Sequence, residues 1–402
     1  MKRELIENKG IPASLLWILA IIAGISVANL YYNQPLLNRI SEDFGISEFT
    51  ANPIPMTTQI GYALGLLFII PLGDLYNRRN IILINFCMLV VSLLVIAVAP
   101  NIYYVLAASL FTGICSVMPQ IFIPIAAQFS TPETKGKHVG MIVAGLLTGI
   151  LASRVVSGMV GEYWGWRTIY YVAAVLMLLC IFVTLRVLPV TPINFNGRYG
   201  QLMKSLLELV IKYPMLRVCA VRSGLCFGSF LALWTCLAFK MSGEPFYAGN
   251  NVIGLLGLCG VAGALTASTV GKYVRVLGVR KFNYLGGGLI LLAWLILAVL
   301  GNSYAGIIAG ILVIGFSLTL LSDIGMQCIQ LSNQTSVFSL DAKASNRINT
   351  IFMTTYFLGG ALGTFLAGSC WELWKWNGVV GAGIGLTLCS VLITVCIKNK
   401  NY

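Results

Sequence analysis

Residues 139–166 read "VGMIVAGLLTGILASRVVSGMVGEYWGW". From Val139 to Val160 the run is apolar and long enough to cross a bilayer, which takes about 20 such residues. Arg154 stands inside it. An arginine at membrane depth costs roughly 3 kcal/mol on insertion scales, so the position demands a reason. The pattern returns 210 positions later, where Gly149, Gly158, Glu162, Trp164 and Trp166 are matched by Gly359, Gly368, Glu372, Trp374 and Trp376. Two related halves follow from such a repeat, and a substrate site is expected near the midplane where they meet.

Composition agrees with a membrane chain. Of 402 residues, 58% are hydrophobic and 10% charged, against about 25% charged in soluble domains. The net charge of +13 is spread over short segments between apolar runs, a positive-inside pattern and not a nucleic-acid face. Eleven cysteines are scattered without a CxxC pair and read as small apolar residues. With His138 as the single histidine, neither a metal nor another cofactor is expected. The first apolar run is too long for a cleavable signal peptide.

Twelve spans are predicted: 14–37, 53–72, 80–99, 103–129, 138–161 and 168–188, then 218–241, 251–271, 282–301, 305–335, 348–370 and 378–397. With the N-terminus inside, twenty of the 26 basic residues fall in internal segments. Only Arg39, Arg167, Lys240 and Lys375 are external, and Arg154 and Arg222 lie within spans. This asymmetry places both termini in the cytoplasm. The longest internal connection divides the chain into halves at 1–188 and 218–402, joined by a linker over 189–217. Within the linker, "YGQLMKSLLELVIKYP" (199–214) has the apolar stripe of a helix lying on the inner leaflet.

"PLGDLYNRRNIIL" (71–83) follows the second span. An acid and two arginines on a tight internal turn can pair across helix ends and hold a gate. Here the chain resembles the major facilitator superfamily, whose motif between helices 2 and 3 is G-x-L-x-D-R-x-G-R-R. Leu72, Asp74, Arg78 and Arg79 match it, whereas Ile70, Leu75 and Asn77 depart. A positive-inside turn accounts for the arginines but not for Asp74, so Asp74, Arg78 and Arg79 are the gating candidates. "GKYVRVLGVRK" (271–281) looks like a degraded second copy.

The opening stretch is similar to the family's antiporter motif of helix 5, G-x-x-x-G-P-x-x-G-G. Gly149 and Gly158 match, Ser153 and Ser157 replace glycines, and Arg154 occupies the proline position. The family's helix 4 commonly carries an arginine four residues before a glycine, but here Ser109 precedes Gly113. Two readings of Arg154 stay open. It supplies the cavity's positive charge, as part of proton coupling or as a substrate contact, or it snorkels about 9 Å to the outer boundary. Its candidate counter-charge and proton carrier is Asp323, in "LTLLSDIGMQCIQLSNQ" (318–334). A buried carboxylate can load and release a proton, although Asp323 also fits a place at the inner boundary.

The first span ends in "ANLYYNQPLL" (28–37). Asn29, Tyr32 and Asn33 share a face, and Pro35 ends or kinks the helix. Amides do not face lipid unpaired, so these residues, with Gln59, Gln120 and Gln327, are cavity candidates. Each glutamine is equally a candidate for a plain helix–helix hydrogen bond.

"NLYYNQPLL", "SRVVSG" and "RINTIFMTTYFLGGALG" (347–363) together resemble a bacterial, drug-exporter-like branch of the superfamily. The implied fold is an all-α membrane protein of twelve helices in two pseudo-symmetric six-helix halves. The implied activity is proton-coupled export of small organic molecules by alternating access. The expected setting is the bacterial inner membrane, and the expected partners are a small-molecule substrate, protons and lipid, with the chain a monomer. An importer or facilitator of a polar or anionic solute is the alternative. No GxxxxGK[ST] loop supports ATP-driven transport, and no catalytic cluster supports an enzyme.

Overall fold

The computed structural model describes residues 10–131, 133–189, 198–257, 279–315, 325–338, 340–341 and 344–396. Helix α1 (Ala13–Ala28) is followed by a 3-10 turn (Gln34–Leu36), α2 (Leu37–Phe44), α3 (Glu48–Ala51) and α4 (Pro53–Phe68). Then come α5 (Leu72–Leu75), α6 (Arg78–Ala97), α7 (Ile102–Cys115), α8 (Pro119–Phe129), α9 (Lys135–Trp164) and α10 (Trp166–Val187). Beyond them lie α11 (Tyr199–Lys212), α12 (Pro214–Ser242), α13 (Asn250–Leu256), α14 (Val279–Leu300), α15 (Tyr304–Gly315), α16 (Gly325–Phe338) and α17 (Ser345–Cys396).

Helix follows helix because each apolar segment must satisfy its backbone internally. Eight helices among the described residues are long and apolar enough to cross a membrane, and shorter apolar ones complete the set. Helix α17 holds the last two predicted spans as two arms that meet at Lys375, where the backbone turns to φ 50° and ψ −138°. The eighth span begins with α13, and the rest of it, with residues 271–278 of the second-half motif copy, lies outside the described residues.

The repeat seen in the sequence is a repeat of contacts. Helix α9 packs along α1, and a Cβ built on Gly149 would collide with the Gly24 carbonyl oxygen. In the second half α17 packs along α12 in the same way, with Gly359 against Gly224 and Gly363 against Gly228. Glycines at these positions let backbones touch, the means by which helices associate where lipid is as apolar as leucine.

The first helix is shorter than the sequence suggests. It stops at Ala28, not near Pro35. Asn29 donates its side-chain amide to the carbonyls of Ile25 (3.0 Å) and Ser26 (3.1 Å), capturing acceptors at the end of the helix. Residues 29–33 then turn, and Pro35 sits in the 3-10 turn that follows. This break puts Tyr31 and Gln34 where a continuous helix would not.

Candidate functional site

The halves meet most tightly at the end of the molecule that carries Trp371. Asn52, before α4, donates to the Thr364 carbonyl at 3.1 Å, and the Trp371 indole donates to Glu48 Oε2 at 2.6 Å. Glu162 Oε2, near the end of α9, accepts from the Asn250 backbone N–H at 2.9 Å, while Arg39 stands 3.6 Å from its Oε1. One turn further in, Gly158 fits against Asn250 and Gly254 so closely that a Cβ would strike the Asn250 carbonyl.

The opposite end holds a cavity among the described residues. This cavity, of about 370 Å³, separates α4 and α8 from the start of α17, and its walls include Leu66, Asp74, Arg78, Gln120, Arg347 and Thr350. Asp74 pairs with Arg78 at 3.7 Å, and Arg78 also donates to the Gly73 carbonyl (3.1 Å) and to Gln128 (2.9 Å). Arg347 comes from the other half and acts on Asp74 electrostatically across the cavity. Arg79 points away and donates to the Leu185 carbonyl at 2.7 Å. Of the three gating candidates, only Asp74 and Arg78 face the cavity.

Aromatic rings close the cavity's inner limit. One turn of α4 beyond Leu66, Tyr62 packs on Phe357 of the other half at 4.3 Å between centroids. Phe227 stacks on Tyr356 at 4.0 Å, and the Tyr356 hydroxyl donates to Gln330 at 3.0 Å. Gln120 reaches from the cavity wall to the Tyr62 hydroxyl at 3.4 Å.

Arg154 lies beneath the tight end, only 2% exposed. Its Nε donates to Gln34 Oε1 at 2.8 Å. The guanidinium carbon stands over the rings of Tyr31 (5.0 Å) and Trp234 (4.2 Å). Trp234 belongs to α12, so the arginine bridges the halves and does not reach for the outer headgroups. Desolvated cation–π contacts contribute about 2 kcal/mol or more, which offsets part of the cost of burial.

Asn29, Tyr32, Asn33 and Gln59 are buried. Asn33 donates to Thr58 at 3.3 Å, whereas neither amide atom of Gln59 has a partner among the described residues. Gln327 lies in α16, and Asp323 falls outside the described residues. The sequence reading passed over Gln34, Trp234, Tyr62, Phe357 and Arg347. It also left Arg222 without a role, although this fully buried arginine bonds Asn333 and Thr394 within the second half.

Two helical halves, sealed at one end and parted by a cavity at the other, have the architecture of a membrane transporter. The Major Facilitator Superfamily profile matches residues 16–364, and the chain belongs to that family. It is 36% identical over 386 residues to the uncharacterized transporter YgaY of Escherichia coli O157:H7, covering 96% of each chain. It is 30% identical to a probable transporter of Streptomyces coelicolor, over 92% of this chain and 85% of that one. The fold is also that of the nucleoside transporter NupG, with a TM-score of 0.75 at 14% identity, covering 96% and 99% of the two chains.

Proposed function

We propose that the protein is a proton-coupled secondary transporter that exports small organic molecules by alternating access. One observation carries this reading: the halves touch tightly at the Trp371 end and are parted by a cavity at the Asp74 end. The parted end is also the basic one, with Arg78, Arg79, Lys135, Lys137 and Arg347 around it, which supports a cytoplasmic orientation. A cavity that faces the cytoplasm is the loading state of an exporter and the release state of an importer, and export follows from the drug-exporter-like motifs of the sequence.

In this reading residues 1–188 and 218–402 rock as two bodies, 189–217 tethers them, and both termini stay on the cytoplasmic side of the bacterial inner membrane. The cycle needs no second copy of the chain. As the cleft closes, Asp74 exchanges Arg78 for Arg347 and latches the inner end. Asp323 carries the proton, since a carboxylate that alternates between the two sides can bind a proton on one and release it on the other.

Proteoliposomes containing a pH-sensitive dye test this. With an imposed pH gradient, addition of a transported compound should accelerate proton movement, and the compound should move against the proton. Solute movement that is indifferent to the gradient would exclude coupling, and solute and proton moving together would exclude export by exchange.

A further inference from the structure

Buried N–H donors without acceptors are rare in folded proteins. Three N–H donors with no acceptor among the described residues surround the guanidinium that joins the halves: Arg154 Nη2, Gln34 Nε2 and Trp234 Nε1. Gln34 is oriented by its own carbonyl, which accepts from Arg154 Nε, so its amide nitrogen is turned outward from that bond. Trp234 presents its ring to the guanidinium and retains its N–H. No described carboxylate lies within ion-pair distance of Arg154, because the ion pairs formed by described residues use Arg39, Arg78 and Arg167. A buried cation is ordinarily paired with an anion. Among the described residues, only aromatic rings and one amide oxygen attend it.

We propose that Arg154, Gln34 and Trp234 form a binding site for the carboxylate of an organic anion, held between the two halves. The chemistry of the donor set selects the ligand. All three free groups donate and none accepts, so the complement is acceptor-only. A carboxylate has two such oxygens and matches the planar edge of a guanidinium. One positive charge fits a monoanion, whereas a phosphate dianion would leave a second charge buried. The faces of Tyr31 and Trp234 provide flat apolar walls, which suit an unsaturated or aromatic body behind the carboxylate.

Position explains when the site fills. The Gly158–Gly254 and Glu162–Asn250 contacts lie between Arg154 and the Trp371 end. The aromatic layer of Tyr62 and Phe357 lies toward the cavity. In the state described here the donors are therefore enclosed, and rocking of α12 away from α9 uncovers them. A carboxylate bound there touches both halves at once and neutralises Arg154, which favours the occluded state through which a transporter passes. The inference rests on the reading that solute binds where the halves meet, and it holds for export or import.

The test is thermal unfolding of the full-length protein in nanodiscs, with benzoate, 1-naphthoate, the neutral benzamide, the cationic benzylamine and chloride as probes. Benzoate or naphthoate should raise the unfolding temperature in a saturable way, and the other three should not. Arg154→Gln should weaken the carboxylate midpoint by about tenfold or more, the loss of a charge-assisted hydrogen bond. Trp234→Phe keeps the ring and removes the N–H, and should weaken it by about three- to tenfold. No shift with either carboxylate, an equal shift with benzamide, or a shift with chloride alone would overturn the assignment. If Arg154→Gln does not fold, an unchanged midpoint in Trp234→Phe overturns it. Binding is read without a gradient, so failure here with dye-reported proton exchange intact removes the carboxylate site and leaves the transport reading standing.

Discussion

Glu162 holds the tight end shut, and removing its carboxylate should shift the population of the two access states. The Asn250 N–H donates to Oε2 at 2.9 Å, and hydrogen bonds to a charged group contribute about 1.5–3 kcal/mol. Arg39, 47% exposed beside a Glu162 side chain that is 25% exposed, adds under about 1 kcal/mol after solvent screening. Glu162→Ala therefore costs the closed arrangement about 2 kcal/mol, close to 30-fold in the ratio of closed to open. Glu162→Gln keeps an oxygen for the Asn250 N–H and loses the charge, so it should cost about 1 kcal/mol, or fivefold. Spin labels at exposed Tyr103 and Trp374 would span this end, with exposed Cys87, Cys389 and Cys396 replaced by serine. The distance distribution should gain a longer component, larger for alanine than for glutamine. An unchanged distribution in Glu162→Ala would refute the reasoning.

Gly149→Leu and Gly359→Leu force a side chain into touching backbones. Each should destabilise the protein by about 3 kcal/mol or more, read as a lost monodisperse peak in size-exclusion chromatography. Asp74→Asn should slow turnover without lowering expression, because the amide cannot pair with Arg347 as the cleft closes; reconstituted turnover at the wild-type rate would contradict it. Asp323→Asn should abolish uphill accumulation while sparing downhill exchange, and retained accumulation would move the proton carrier to Glu162 or Glu372. Phe357→Ala should breach the aromatic layer and raise solute leak in the absence of a gradient, measured in the same vesicles.

Much of the fold is legible because hydrophobic length and glycine spacing are local properties. The pairing of Gly149 with Gly24 and of Gly359 with Gly224 turns a sequence repeat into a contact repeat. The end of α1 was misplaced because a competing signal, the Asn29 amide on its own helix carbonyls, outweighs the proline six positions on. The site was only partly legible. An arginine in an apolar run marks itself, yet its neighbours do not: Trp234 reads as one more aromatic in an apolar helix until the fold sets its ring over Arg154. Gln34 adjoins the Asn33 singled out by helical spacing, but it faces Arg154 only because the helix has already stopped. Arg347 falls in a basic internal segment of the sequence where topology explains its charge, and only the cavity gives it Asp74 to act upon.

The most direct test of rocking about a sealed end is to lock that end. Asn52 and Gly368 face each other across the halves, with no room between them for an added Cβ. Asn52→Cys with Gly368→Cys removes the larger side chain and sets two thiols at the contact. Vesicle transport of a solute that the wild-type protein moves should fall to background when the pair is oxidised and recover when it is reduced. Undiminished transport by the cross-linked protein would contradict alternating access.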